Sequence, residues 1–497
     1  LKKVNIAAAI TLDPARILKW FMFFQALAWT LVPYFSRASL HHDVLEGITQ
    51  GLQFQWGYSK HPFLSMWLLA YVWKLFGGQE WAIYALSQAV VGLGVYYSWK
   101  LNQRLLPTWP ALIATLLLST LFFYTLEANV LTPDNFQIPI WTAILYFYDR
   151  VATEQKLKDW ACLGLWIGLG ILIKYQVAIL LISLAVVTLI HGRKRVLFLH
   201  PGLALTLMVM MAVIAPNGFW LYQHWEVFTA YMQSEVHNYD NFSLLHLMGK
   251  YINNIVGVGV IPALVMALAF PKRESRLAST SKARAIDIYA YSLSPFVVTL
   301  FFLCFSLTPI YGRWLTPYYS VWGALLVYGW RPVVTEAGMR RLLTLLGLMT
   351  VIMAIWVSMP RLNKNPKCDA YYPNQEISHF ISNTWDKSVH KPLRYLAGSR
   401  YLVASIVPYI APQPIPYFSL NKNTSPWVME NDVQKYGAVL VWDIENNYTW
   451  DVESMRFNAP PKDLFKRFPG ASPIAFKTFY TQQGRAIEIA YSILRPQ

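Results

Sequence analysis

The chain has 497 residues, of which 55% are hydrophobic and only 14% are charged, and its mean hydropathy is +0.33. A soluble domain carries about 25% charged residues, so this composition excludes an ordinary soluble protein. The net charge of +16 would indicate a nucleic-acid partner in a soluble chain. Here the basic residues collect in short loops between apolar runs, so no nucleic-acid partner is predicted.

Apolar runs of membrane-crossing length follow one another along most of the chain. A helix needs about 20 apolar residues to cross a bilayer. The first run, from Ile17 to Phe35, is longer than a signal-peptide core and no small-residue cleavage site follows it, so it is predicted to be a retained span. The sequence predicts a polytopic α-helical membrane protein with about eleven spans, at residues 17–35, 81–99, 109–127, 136–148, 160–174, 176–191, 201–222, 251–270, 287–308, 314–330 and 342–358.

The loops between these spans alternate in charge, and cytoplasmic loops are enriched in Lys and Arg. Every second connection is basic, which predicts a cytoplasmic N-terminus and an odd number of spans. The outward connections are then residues 36–80, 128–135, 223–250, 309–313 and the tail from 359 onward. The basic residues of the opposite, cytoplasmic connections are Lys2, Lys3, Arg16, Lys19, Lys100, Arg104, Arg150, Lys156, Lys158, Arg193, Lys194, Arg195, Lys272, Arg273, Arg276, Lys282, Arg284, Arg331, Arg340 and Arg341.

The tail, residues 359–497, has the composition of a soluble domain. It is predicted to be a small α/β domain in which a helical pattern near 399–410 alternates with strand-like runs at 393–396, 415–418, 438–442, 474–479 and 486–491. The three cysteines, Cys162, Cys304 and Cys368, are far apart in the sequence and form no CxxC pair. Neither a disulfide framework nor a cysteine metal site is therefore predicted.

The first outward loop carries candidate functional residues. Leu40–Gln55 predicts an amphipathic helix on the membrane surface, with Asp43 and Glu46 on one face. A turn at residues 56–62 brings Lys60 and His61, and a second apolar helix is predicted from Phe63 to Phe76. The alternative is that the polar stripe simply faces water and Lys60 contacts lipid headgroups. Spacing by itself leaves both interpretations open.

The next outward loop places Glu127 and Asp134 at a similar depth. Ionisable groups at that level are costly and tend to mark a site, which favours a functional interpretation. For Asp134, capping of the following helix is the alternative. The carboxylates, His61 and His224 are chemically able to bind a divalent ion, but their spacing matches no recognised ligand pattern, so no particular cofactor is predicted and a divalent metal stays possible.

Several of these motifs together resemble the protein O-mannosyltransferase-like branch of the GT-C glycosyltransferases, which includes bacterial lipid A aminoarabinose and galacturonic acid transferases. The resemblance extends over nearly all of residues 15–330. The matching motifs are Asp43, Trp56-Gly57-Tyr58, Lys60-His61-Pro62, Trp67-Leu68, Thr132-Pro133-Asp134 and Gly168-Leu169-Gly170-Ile171-Leu172-Ile173-Lys174-Tyr175, with later landmarks at Pro216-Asn217, His224-Trp225 and Arg313-Trp314-Leu315-Thr316-Pro317.

The resemblance implies a GT-C catalytic domain at residues 1–358, with interfacial helices in 36–80, and a periplasmic domain at 359–497. It implies a bacterial inner-membrane enzyme that moves a sugar with inversion from a polyprenyl-phosphate donor to lipid A, an envelope glycan or a protein. Asp43 is the expected catalytic base, and Asp134 is expected to organise the site. The other expected residues are Glu46 with the catalytic acids, Lys60, His61, Arg313 and Lys174 at the donor phosphate, and Glu127, Tyr58 and His224 near the sugar or acceptor.

The chain departs from the aminoarabinose transferases at Ser59 and His61, where those enzymes have an acidic residue and a proline beside the lysine. The resemblance therefore does not carry aminoarabinose over to this chain. Two other functions stay open from the sequence: a flippase for lipid-linked sugars, and a glycan ligase or polymerase that uses a lipid-diphosphate donor. A ligase is expected to need more outward arginines than Arg37 and Arg313.

Overall fold

A computed structural model describes residues 13–190, 197–230, 243–275, 280–306, 310–359, 371–444 and 460–497. Lys2, Lys3, Arg193, Lys194, Arg195, Arg276 and Cys368 lie outside the described residues. The chain forms two compact units. The helical unit comprises Leu1–Val32, Tyr84–Ala215 and Asn241–Trp356, and the mixed unit comprises Pro33–Ile83, Pro216–Asp240 and Val357–Gln497. The interfacial segment, which the sequence grouped with the membrane helices, thus belongs to the same unit as the C-terminal tail.

Up to residue 358, the part of the chain that the structure describes is mostly helical. The α-helices are α1 (Pro14–Ser36), α2 (His42–Gly51), α3 (Leu64–Leu75), α4 (Glu80–Leu105), α5 (Thr108–Leu116), α6 (Pro133–Thr153), α7 (Leu157–Ile173), α8 (Val177–Ile190), α9 (Gly202–Gln223), α10 (Leu244–Ala269), α11 (Lys282–Ser306), α12 (Trp322–Trp330) and α13 (Glu336–Ser358).

Four helices among the described residues are long and apolar enough to cross a membrane, by length and composition alone. They are Gly202–Gln223, Leu244–Ala269, Lys282–Phe305 and Glu336–Ser358. The remaining predicted spans contain shorter helices or helices that carry more polar residues. The number of crossings, predicted as about eleven, therefore stays a prediction.

Two predicted spans are interrupted by 3₁₀ turns. The run at 109–127 leaves the α conformation after Leu116, where Ser119 Oγ donates to the Leu116 carbonyl at 2.6 Å and Thr120 Oγ1 donates to the Leu117 carbonyl at 2.6 Å. Such hydroxyls compete with the backbone N–H groups of an α-helix for the same carbonyl acceptors. The run at 314–330 begins as a 3₁₀ helix, Gly312–Val321, which contains Pro317. Proline lacks the N–H that an α-helix requires.

The C-terminal part of the mixed unit confirms the predicted α/β domain. Its five-stranded sheet has the order β2-β1-β3-β5-β4, with β1 parallel to β2 and β3, and with β5 antiparallel to β3 and β4. Hydrophobic clusters lie on both faces of the sheet. The elements are α14 (Asn374–Val389), β1 (Tyr395–Gly398), α15 (Arg400–Ile406), β2 (Ile415–Phe418), α16 (Glu430–Tyr436), β3 (Ala438–Asp443), α17 (Leu464–Arg467), β4 (Ala475–Tyr480) and β5 (Ala486–Leu494).

Helix α2 is shorter than the predicted helix at 40–55, and it is largely buried. Gly51 permits close packing on α3, since a Cβ at Gly51 would lie 2.0 Å from the Met66 carbonyl oxygen. On another side, Thr49 Oγ1 donates to the Ala404 carbonyl in α15 at 2.8 Å. Gln50 is only 2% exposed. The part of the polar stripe formed by Glu46 and Gln50 is therefore largely buried, whereas Asp43 stays partly exposed.

Candidate active site

The loop between α2 and α3 is a tight turn that presents Lys60. Gly57 and Pro62 form an isolated antiparallel bridge, and the backbone N–H of Tyr58 donates to the His61 carbonyl at 3.0 Å. Lys60 lies at the tip and is exposed. Among the described residues, no hydrogen bond or ion pair engages its ammonium group. The turn thus holds a cation that is available to an anionic ligand.

Residues near the C-terminal end of α9 brace this turn. A Cβ at Gly57 would lie 2.4 Å from Trp220 Cε3, so only glycine allows the backbone to lie this close to the indole. Asn217 Nδ2 donates to the Trp56 carbonyl at 2.7 Å. His224 stacks on Trp220 with ring centroids 4.5 Å apart. The Pro216-Asn217 landmark therefore has a structural role, and His224, predicted near the sugar, lies against the brace.

Tyr58 and His61 flank the lysine within the turn. The Tyr58 ring is 4% exposed and meets the edge of Trp427 at 6.1 Å between centroids. Burial raises the pKa of the Tyr58 hydroxyl, so the phenol is neutral at physiological pH. His61 is half-buried, and its carbonyl closes the turn. Both residues fix the shape of the loop that carries Lys60.

Asp43 lies in the first turn of α2. The cap residue His41 accepts a hydrogen bond from the Asp43 backbone N–H through Nδ1 at 3.2 Å. His41 Nδ1 also lies 3.8 Å from Asp43 Oδ2, and the Asp43 side chain is 27% exposed. A helix N-terminus favours a negative charge. Asp43 is therefore a partly exposed carboxylate at a helix N-terminus with an imidazole beside it.

Glu46, one turn further along α2, is in a different environment. Its Oε1 accepts from Arg400 Nε at 2.9 Å, from Arg400 Nη2 at 2.5 Å and from Gln50 Nε2 at 3.1 Å. Burial by itself would raise the pKa of Glu46, but the positive charges of Arg400, Lys60 and His42 outweigh it and lower the pKa. Glu46 is thus a buried carboxylate that is already engaged, and it suits a base less well than Asp43 does.

In the helical unit, Asp134 does not cap α6. The cap is Thr132, which forms a capping box with Asn135. Asp134 instead accepts from Lys174 Nζ at 2.6 Å, and its side chain is only 7% exposed. The capping alternative for Asp134 is therefore wrong. The carboxylate and the ammonium form a buried ion pair at the N-terminal end of α6.

Lys174, besides pairing with Asp134, also contacts the 3₁₀ helix that contains Arg313. Its ammonium lies 5.3 Å from the centroid of the Trp314 ring. Gln176 Nε2 donates to the Trp314 carbonyl at 2.5 Å, which fixes the same segment. Arg313 is half-buried. Because Asp134 compensates the charge of Lys174, the predicted phosphate role of Lys174 has less electrostatic support than that of Lys60.

Two site candidates were missed by the sequence. Asn129, beside the half-buried Glu127, is 2% exposed, and neither its amide nitrogen nor its amide oxygen has a hydrogen-bond partner among the described residues. Unsatisfied buried amides are costly, which makes Asn129 a candidate for binding a sugar hydroxyl. Arg400, at the start of α15, is the partner of Glu46. No sequence motif marks either residue.

The ten predicted site residues divide between the two units. The mixed unit holds Asp43, Glu46, Tyr58, Lys60, His61 and His224, and the helical unit holds Glu127, Asp134, Lys174 and Arg313. Among the described residues, no three His, Cys, Asp or Glu side chains converge as metal ligands would.

Comparisons with known proteins agree with this architecture. Residues 60–220 match the family model described as dolichyl-phosphate-mannose-protein mannosyltransferase. The chain is 23% identical over 267 residues to the lipopolysaccharide core galacturonosyltransferase RgtB of Rhizobium johnstonii, a match over 52% of this chain and 54% of that protein. The chain thus spans about half the length of the curated relative it matches.

Two solved structures of ArnT from Cupriavidus metallidurans match almost the whole chain. The TM-score is 0.61 for ArnT bound to undecaprenyl phosphate and 0.62 for the apo state, in each case at 14% identity over 96% of this chain and 98% of ArnT. The chain is therefore a polytopic membrane protein with the GT-C fold and a C-terminal α/β domain. It resembles the GT-C glycosyltransferases that modify lipid A and lipopolysaccharide, as its motifs predicted.

Proposed function

We propose that this protein is an inverting glycosyltransferase that moves a sugar from a polyprenyl-phosphate donor to lipopolysaccharide. The acceptor is a hydroxyl of lipid A or of the core glycan. In this proposal the enzyme lies in the bacterial inner membrane with a cytoplasmic N-terminus, and the C-terminal domain and the reaction are periplasmic. The basic loops support this orientation.

The observation that carries the proposal is the exposed ammonium of Lys60 in the same unit as the carboxylate of Asp43. A phosphate monoester anion is a suitable ligand for an uncompensated lysine. The fold match to ArnT, which was solved with undecaprenyl phosphate, supports a lipid phosphate as that ligand. The name of RgtB supports lipopolysaccharide as the acceptor.

The reaction is a single displacement at the anomeric carbon. Asp43 accepts the proton of the acceptor hydroxyl, the new oxygen–carbon bond forms, and the bond from carbon to the phosphate oxygen breaks on the opposite face. The electron pair leaves with the phosphate, whose added charge Lys60 stabilises, with His61 as a further donor. The roles expected of Arg313, Asp134 and Glu127, in the helical unit, stay predictions.

Reconstitution tests the proposal and separates it from a flippase. The purified protein in liposomes receives undecaprenyl-phosphate sugars on one side, with lipopolysaccharide from a deletion strain as acceptor. Mass spectrometry should detect a new glycoside and release of undecaprenyl phosphate.

Donor movement across the bilayer without a glycoside would instead support a flippase, and transfer only from lipid-diphosphate donors would support a ligase. Comparison of lipid A, polysaccharide and envelope proteins from cells with and without the gene then identifies the acceptor.

A further inference from the structure

An open groove with a volume of about 520 Å³ lies between α1 and α13 in the helical unit. Four of the α1 residues that line it are spaced four positions apart and therefore share one face of the helix. They are Arg16, Trp20, Phe24 and Ala28. On the α13 side the lining includes Gly347, where an added Cβ would meet no atom within 4 Å. The two helices therefore leave room at Gly347 for a larger group.

Positive charge collects at the N-terminal end of this groove. Arg16 lines the groove, and together with Lys19 and Asp13 it also lines an adjoining recess. An oxygen of Asp13 already accepts a hydrogen bond from the Ala15 backbone N–H at 3.2 Å. Among the residues that the structure describes, no ion pair engages Arg16 or Lys19. Two cations against one carboxylate leave this end of the groove positively charged.

Aromatic and apolar side chains follow the cations along the groove. Trp20 is 53% exposed and Phe24 is 61% exposed, and their rings stack with centroids 6.1 Å apart. Tryptophan is enriched at the level of the lipid headgroups. From Arg16 to Ala28 an α-helix rises about 18 Å, which is slightly more than half of a hydrocarbon core about 30 Å thick. The groove therefore has the length and the change in polarity of a lipid in one leaflet.

We propose that this groove binds one anionic phospholipid, with the phosphate at Arg16 and Lys19 and an acyl chain between Phe24 and Gly347. Basic side chains near the bilayer surface attract anionic headgroups, and a guanidinium suits a phosphate in particular. A polyprenyl chain is much longer than one leaflet, so the length of the groove favours a phospholipid. The inference does not depend on the proposed function, because none of the ten predicted site residues lines the groove.

Unselective coverage by bulk lipid is the alternative, and it makes a different prediction. An apolar helix face in a bilayer contacts acyl chains whatever their headgroups are, so headgroup charge would then have no effect. A specific site depends both on the cations at its end and on the space at Gly347. These two features belong to different helices and can be changed separately.

Native mass spectrometry of the full chain, released from detergent, separates the two cases. The probes are dioleoylphosphatidylglycerol and dioleoylphosphatidylcholine, which have the same acyl chains and differ in net headgroup charge. The wild type should retain one phosphatidylglycerol, with an apparent affinity roughly tenfold higher than for phosphatidylcholine. The double variant Arg16→Gln/Lys19→Gln should lose this preference. Gly347→Leu should lose the bound lipid, because the leucine side chain fills the groove.

Each kind of variant has a matched control in the helical unit. Gly257→Leu adds the same side chain to α10, at an exposed glycine where an added Cβ also meets no atom within 4 Å. Lys158→Gln removes an exposed cation from α7. Both controls should bind phosphatidylglycerol as the wild type does.

Several outcomes would overturn the inference. They are equal binding of the two lipids by the wild type, a preference that survives Arg16→Gln/Lys19→Gln, and equal binding by Gly347→Leu and Gly257→Leu. Displacement of phosphatidylglycerol by an equal concentration of undecaprenyl phosphate would show that the occupant is wrong. Should Gly347→Leu prove polydisperse, the charge variants still decide between a specific site and bulk lipid.

Discussion

Several charged side chains pair with one another near the C-terminal end of α6, whereas the turn between α2 and α3 carries a single lysine, Lys60. Near the end of α6, Asp149 is fully buried, with Arg104 Nε 2.5 Å from one carboxylate oxygen and Arg284 Nη1 2.5 Å from the other. Arg104 also reaches Glu154 at 2.7 Å. In the turn, by contrast, Lys60 is exposed and has no ion-pair partner among the described residues.

The difference indicates which charges maintain the fold and which are available for chemistry. A buried charge whose hydrogen bonds are complete exerts little net attraction on a ligand, while the loss of one partner is strongly destabilising. An exposed charge contributes little to stability but keeps its attraction for a substrate. Asp149, Arg104, Arg284 and Glu154 form what we call the Asp149 cluster. Substitutions in this cluster should therefore change stability, and substitutions at Asp43 and Lys60 should change activity.

The largest effect is expected for Asp43→Asn. The amide keeps the shape of the side chain but cannot accept a proton, so kcat should fall by about 10²–10⁴. Donor binding and melting temperature should stay close to the wild-type values. Glu46→Gln, one turn further along α2, should be milder in the same sugar-transfer assay. An active Asp43→Asn enzyme beside an inactive Glu46→Gln enzyme would move the base to Glu46.

The next effect is on stability, for Asp149→Asn. The amide leaves Arg104 and Arg284 without their shared anion, and stability should fall by about 3 kcal/mol. Thermal unfolding in detergent measures the loss, and turnover per folded molecule should not change. Arg340→Ala is the matched control, because its ion pair with Glu336 is exposed on both sides. That control should shift stability by less than about 1 kcal/mol; equal losses would contradict the distinction.

Lys60→Ala should have a smaller effect, on donor kinetics. Without the ammonium group the apparent KM for the lipid donor should rise and kcat should fall, because the phosphate gains charge as it leaves. Lys60→Arg should recover part of both, since it restores the positive charge. Steady-state kinetics with varied donor concentration measure the two constants. Unchanged kinetics in a well-folded Lys60→Ala enzyme would assign Lys60 to lipid headgroups instead.

The smallest effect is a pH dependence in the Asp149 cluster. Hydrogen bonds from Lys156 and Arg104 lower the pKa of Glu154 from 4.5 to about 2. Because the pKa of Glu154 is lower in the folded protein, the ionised side chain stabilises the fold at pH values above its pKa in the unfolded chain. This stabilisation is lost as the pH falls toward the pKa in the folded protein. The difference in melting temperature between wild type and Glu154→Gln should therefore shrink between about pH 6 and about pH 3. A constant difference would contradict this.

The sequence was sufficient for features that depend on local patterns. Long apolar runs predicted the membrane class, and short alternating segments predicted the five strands of the C-terminal sheet, because burial repeats with the period of each backbone conformation. The resemblance through Asp43, Lys60 and the Thr-Pro-Asp motif gave the GT-C fold. The residues of the turn at 56–62 were identified in the same way.

Other features depended on the tertiary structure. The cap of α6 is Thr132, which forms a capping box with Asn135, and the carboxylate of Asp134 pairs instead with Lys174, 40 positions away. Glu46 and Arg400 are separated by 354 positions, and no periodicity relates residues at that distance. The sequence determines which side chains carry charge and which segments are apolar. The partner of each buried charge is decided only when helices and sheet pack, because packing brings distant groups within hydrogen-bond range and removes the water that would otherwise solvate them.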